Sequence, residues 1–108
     1  IHKETAQEQI AYIAENLLRG ELLAQLAEES AELTQAALKH RRTFTEGASP
    51  TPKTEDETLD NLIEELADVL ICAEAINHQE TKLFGKTFRD IYKYKLRRWH
   101  DRIKEARD

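Results

Sequence analysis

The sequence predicts an all-α protein: a helical bundle of about four helices in a single domain over residues 1–108, completed by oligomerisation. Three observations carry this expectation. Gly and Pro, the residues that punctuate turns and strands, number only 3 and 2 in 108. Apolar residues recur three and four positions apart through long stretches, and no two-residue alternation persists. A chain of this length also buries only about two thirds of its unfolded surface, so a slender helical chain commonly finishes its core against another copy.

The first helix is expected over roughly 4–18, with Ile10, Ile13 and Leu17 on one side and Gly20 marking a bend. The second covers about 20–42 and closes on His40-Arg41-Arg42, cations that suit the negative end of a helix dipole. Residues 43–53 (TFTEGASPTPK) contain both prolines and a glycine and read as a loop. Thr54-x-x-Glu57 is a capping box that starts the third helix, which runs to about Ile76. Asn77-His78 and Gly85 bracket a shorter connection. The fourth helix follows over about 86–106, and its Phe88, Ile91, Tyr92, Leu96, Trp99 and Ile103 are expected to form a buried face.

With 40% hydrophobic and 34% charged residues, the chain reads as globular and not disordered. No apolar run approaches the ~20 residues a membrane span needs, and the opening IHKETAQEQI is too polar for a secretory leader. The single cysteine, Cys72, cannot form an internal disulfide. It suits a reducing compartment, so a cytoplasmic setting and no membrane partner are expected. The net charge of −5 conceals a division. Residues 82–108 carry ten Lys/Arg against four Asp/Glu, whereas residues 1–81 carry six against seventeen. An acidic body with a basic last helix argues against simple nucleic-acid binding. It suits a site that needs both signs, such as one for a metal-bound phosphate ester.

The acidic residues are patterned. On the second helix Leu22, Leu23, Leu26, Ser30, Leu33 and Ala37 share one sector, with Glu29 on its shoulder and Gln25 and Glu32 just beyond. Ala24, Ala27, Ala31 and Leu38 cover the opposite side, and Glu28 points more outward. The third helix repeats the layout: Leu59, Leu62, Leu66, Val69, Leu70 and Ala73 form the apolar sector, and Asn61, Glu65, Asp68 and Cys72 a stripe along its edge. Packing two such helices together would gather four carboxylates, and without a cation some would have to protonate or turn outward. Oxygen ligands in this number suit Mg²⁺ or Mn²⁺ and not zinc. No Glu stands three residues before any His, so the di-iron bundle pattern is absent. The plain alternative is that such Glu pairs are ordinary helix-surface residues.

On the fourth helix Lys95 lies among Ile91, Tyr92 and Trp99, with Arg98 flanking the same face. A lysine so placed can bury its stem and extend its ammonium toward a phosphate, or equally toward solvent or a bundle carboxylate. Trp99 and Tyr94 could stack on a base or pack in a core. Cys72 reads as small apolar filler, with no histidine beside it to activate a nucleophile.

Glu28-Glu29-x-x-Glu32 followed by Glu65-x-x-Asp68 resembles the signature of the all-α NTP pyrophosphohydrolases, the MazG-like group. The segment YKLRRWHDRI looks like the Lys-x-x-Arg stretch of its small, phage-type members, and the resemblance covers about residues 20–103. It implies a Mg²⁺-dependent hydrolase, with Mn²⁺ as a substitute ion, that converts a nucleoside triphosphate to monophosphate and pyrophosphate. Glu29, Glu32, Glu65 and Asp68 would be the metal ligands and Glu28 an auxiliary acid for the attacking water. Lys95 and Arg98 would contact the triphosphate, and Gln25 and Asn61 would also face the substrate. It further implies a homo-oligomer, a dimer or a dimer of dimers, and a possible role in nucleotide-pool sanitation. Two features depart from the group's pattern: the gap between the acidic motifs is longer, and Ala75 stands where an Asn is usual, with Asn77 displaced. A non-catalytic helical interaction module is the alternative reading, in which the acids form inter-helix ion pairs. Base contact by His2, Gln9 or Tyr12 is left open.

Overall fold

The computed structural model describes residues 3–45 and 52–108. Four helices account for 82% of these residues, and no strand occurs among them. They are α1 (Ala6–Asn16), α2 (Arg19–Arg42), α3 (Glu55–Gln79) and α4 (Lys86–Arg107). The middle of the expected 43–53 loop and the candidate His2 lie outside the described residues.

Local chemistry explains most boundaries. Thr54 accepts from the Glu57 N–H at 3.2 Å while Glu57 accepts from the Thr54 N–H at 3.3 Å, so the capping box forms as expected. Thr5 and Glu8 make the same reciprocal pair at the head of α1. Their spacing is identical in the sequence, and it places the α1 start at Ala6, later than expected. The break between α1 and α2 lies at Leu17 and Leu18, both extended, and not at Gly20, which is helical. Glu21 accepts the Leu18 N–H at 3.0 Å, which fixes this earlier start of α2. Asn77 and His78 belong to α3, which continues to Gln79. The Asn77 side chain accepts the Phe84 N–H at 3.0 Å and so ties the following turns back onto the helix.

The α2–α3 pair is the spine of the molecule. His40 near the end of α2 meets Thr58 near the start of α3 at 2.9 Å, while Leu22 near the start of α2 packs with Ala75 and Ile76 toward the end of α3. The two helices therefore run antiparallel. The α1 helix lies across the C-terminal half of α3, where Ala14 joins the buried cluster of Leu22, Ala75 and Ile76. The Gln79 amide donates to the carbonyls of Ala14 and Leu17 at 2.8 and 2.9 Å, and so satisfies the open end of α1. Arg19 and Glu80 pair beside this junction.

The burial expected of α4 is overturned. The α4 residues Phe88, Ile91, Tyr92, Leu96, Trp99 and Ile103 form no buried face: they stand between 42% and 69% exposed, because no other helix packs closely on α4. Their ring contacts are made within the local chain, Phe84 to Phe88 and Phe88 to Tyr92. On α3 the line Thr58–Asn61–Glu65–Cys72–Ile76 turns inward, whereas Leu59, Ile63, Leu66 and Leu70 are exposed. On α2, Ala36 is buried where Ala37 was expected, and Leu23 is exposed. Leu59, Leu66 and Leu70 of the α3 apolar sector thus face outward, while Leu62, Val69 and Ala73 are half-buried.

The dimensions agree. The radius of gyration is 18.0 Å, against about 13 Å for a compact domain of this length. The accessible surface is 9004 Å², about 2,800 Å² more than the roughly 6,200 Å² of a compact monomer of this mass.

Candidate functional site

The antiparallel register of α2 and α3 sets Glu29 opposite Asp68 and Glu32 opposite Glu65. One carboxylate oxygen from each of Glu29, Glu65 and Asp68 lies within 4.8 Å of the others. Glu32 joins them from α2, its carboxyl beside that of Glu65. The two acidic stripes therefore meet. Both helices present acids three residues apart toward the same seam, so four carboxyl groups converge with no cationic side chain bound to any of them among the described residues.

The electrostatics follow from this crowding. For Glu29 the Gln25 amide, donating to Oε1 at 2.8 Å, favours the ionised form. Desolvation and the charges of Glu32 and Asp68 outweigh it and leave the pKa raised. Glu32 is raised foremost by its hydrogen bond to Glu65, then by the Glu65 charge and by desolvation. The Glu29 Oε2 and Glu65 Oε2 atoms are buried and have no hydrogen-bond partner. Two orphaned acceptors in one acidic seam are costly unless something positive meets them.

A hard divalent cation fits this donor set. Oxygen ligands of Mg²⁺ lie at about 2.0–2.1 Å in an octahedron, so opposed ligands stand roughly 4.2 Å apart. The spread of the three oxygens is within a small side-chain adjustment of that span. Glu29, Glu65 and Asp68 can supply three ligand oxygens, with the Glu32 carboxyl beside Glu65.

The remaining candidates separate. Gln25 touches the seam through Glu29. Asn61 is half-buried on α3 one turn before Glu65, and Glu28 is exposed on α2, outside the trio. Lys95 and Arg98 are exposed on α4 and pair with none of the acids. Arg98 instead lies over the Tyr94 ring, 5.6 Å from its centroid, and Lys95 borders an apolar groove with Phe88, Tyr92 and Trp99. The chain does not bring its basic helix to its acidic seam: among the described residues no helix packs closely on α4. Cys72 is buried beside the seam as expected, and its thiol is raised by desolvation and by the charges of Glu29 and Asp68.

Periodicity along single helices could not reveal a small apolar cavity where α1, α2 and α3 meet, next to Glu29 and Asp68. It depends on the crossing of α1, which no spacing in the sequence encodes. Comparison of the chain with protein-family models, curated proteins and solved structures returned no match.

Proposed function

We propose that this chain is a Mg²⁺-dependent nucleoside triphosphate pyrophosphohydrolase that acts as a cytoplasmic homo-oligomer. The observation that carries the reading is the convergence of Glu29, Glu65 and Asp68, with two buried, unpartnered oxygens among them. The order of the acidic motifs, which resembles that of the MazG-like group, points the same way.

Glu29, Glu65 and Asp68 would hold the ion, and Glu32 would orient Glu65 from the neighbouring turn of α2. Mg²⁺, when bound, supplies positive charge to the phosphate oxygens and acidifies a coordinated water. Glu28, exposed next to Glu29, is placed to take a proton from water at the edge of the seam. Lys95 and Arg98 would offset the triphosphate charge, an electrostatic role that requires them close to the developing negative charge. Within one protomer α4 is unpacked, so assembly has to supply that proximity.

Assembly has its own support. Surface in excess of a compact monomer by about 2,800 Å² per chain is comparable to what one subunit loses in a large obligate interface. The exposed stripes Leu59–Ile63–Leu66–Leu70 and Phe88–Tyr92–Leu96–Trp99–Ile103 supply apolar surface for it. These stripes alone also favour the second reading, a non-catalytic interaction module. No helix among the described residues is long and apolar enough to cross a membrane.

The deciding experiment separates the products formed from a panel of NTPs and dNTPs with Mg²⁺ or EDTA. Monophosphate plus pyrophosphate, lost with EDTA and in Glu65→Gln, is the expected result. Diphosphate plus phosphate would keep a metal site but reject the cleavage position. No turnover, together with no Mg²⁺-linked gain in Tm, would leave the interaction module.

A further inference from the structure

Glu29 uses its two carboxylate oxygens differently. Oε1 accepts from the Gln25 amide at 2.8 Å, one turn earlier on α2. Oε2 is buried in the seam without a hydrogen-bond partner. Hydrogen-bonded side chains four residues apart are common on helix surfaces, where they add a little to helix stability. This pair differs in the situation of its second oxygen. With Oε1 held by Gln25, the carboxylate is not free to rotate, and Oε2 is kept inside the seam. There a Glu29 oxygen lies within 4.8 Å of one from Glu65 and one from Asp68.

We propose that Gln25 is a positioning residue for the cation: its amide orients the Glu29 carboxylate so that Oε2 alone meets the ion. The proposal rests on the hydrolase reading above and deepens its metal site. Ligating carboxylates are usually held by an outer hydrogen bond, and loss of that outer partner lowers metal affinity by about 10–100-fold. The donor here is a neutral amide. A Lys or Arg in its place would offset the negative charge that attracts the ion, whereas an amide orients the carboxylate and leaves its charge whole. Glu65 Oε2 is buried without a partner as well, and the carboxyl beside it is that of Glu32, another acid. The orienting contact therefore enters the seam from α2. A residue that touched only the substrate would act when a nucleotide is bound. A positioning residue acts on the ion alone.

The test therefore uses Mn²⁺ and no nucleotide. The full chain is titrated while free Mn²⁺ is followed by EPR, and spin-echo modulation in deuterated water counts the waters on the bound ion. Gln25→Leu removes the donor and keeps a good helix former. Gln25→Asn keeps an amide that is one methylene too short to reach. Both variants should bind Mn²⁺ about 10–100-fold more weakly than wild type. The bound ion should also carry about one more water, as Glu29 leaves its octahedral shell. Circular dichroism should show wild-type helix content in both. A role in helix stability alone would lower Tm and leave the water count unchanged. Wild-type affinity in either variant, or weaker binding with no added water, overturns the positioning role and leaves the metal site standing. A wild-type chain that binds no Mn²⁺ overturns the metal site itself, and Gln25 with it.

Discussion

Replacing Leu66 and Leu70 by Ala should dissociate the proposed homo-oligomer without unfolding the single chain. Both side chains lie on the outward stripe of α3, 46% and 53% exposed, and neither belongs to the buried cluster. Full burial of a Leu side chain contributes about 1.5–3 kcal/mol, and roughly half of each side chain is still available to bury. The pair therefore offers about 1.5–3 kcal/mol per copy, or roughly 3–6 kcal/mol for a two-fold interface that uses the stripe on both sides. At 1.4 kcal/mol per decade, the dissociation constant should rise by about two to four orders of magnitude. Sedimentation velocity over a dilution series reads this directly, and far-UV circular dichroism checks that helix content is kept. Alanine is also the best helix former, so the monomer should not lose helicity through propensity. A wild-type protein that is monomeric at tens of micromolar would refute the reasoning, as would a double variant that assembles as tightly as wild type. Either result would mean that the outward leucines are simply solvated.

Three further outcomes are expected. At ten times its dissociation constant, Mg²⁺ should stabilise the protein by about 1.4 kcal/mol and raise Tm by roughly 6–11 °C, and Glu65→Gln should abolish most of that shift in differential scanning fluorimetry. In EDTA the raised carboxyls of Glu29 and Glu32 keep protons in the folded chain that the unfolded chain releases above about 4.5. The folded state thus binds more protons, and their contribution to stability falls as pH rises through and above that value. The Glu29→Gln/Glu32→Gln variant should flatten this part of the pH–Tm curve, and Mg²⁺ should reverse its sign, because ligands must be deprotonated to bind. Cys72 should react slowly with a disulfide reagent in the native protein and rapidly in denaturant, since burial and the neighbouring acids disfavour its thiolate; equal rates would show that the α1–α2–α3 junction is open.

The parts of the structure that sequence reveals are those governed by local rules. Thr54 and Glu57 announce the head of α3 because a capping box needs only a three-residue spacing. The meeting of Glu29 with Glu65 and Asp68 was legible because both acid pairs lie on one stripe of their helix, and an antiparallel hairpin aligns such stripes. The break at Leu17–Leu18 was not legible, since neither residue is a helix breaker and it depends on Glu21 reaching back to the Leu18 N–H. The outward turn of Leu59, Leu66 and Leu70 was not legible for a different reason. A helix with an apolar sector and a polar-edged stripe has two buriable faces, and periodicity does not say which one meets its own chain. The same holds for α4, whose pattern records that a face wants cover but not what covers it.

The contact between His40 and Thr58 has one more consequence. It clasps the α2–α3 hairpin at its base, just inside the connecting segment, so the alignment of the carboxylates is fixed before that segment begins. The two arms carry their own registration marks, with His40 against Thr58 at one end and Leu22 against Ala75 and Ile76 at the other. Residues 43 to 53 join two arms that are registered at both ends. A gene cut in that stretch would yield two fragments, one with α1 and α2 and the other with α3 and α4, that recognise each other and rebuild the acidic seam on mixing.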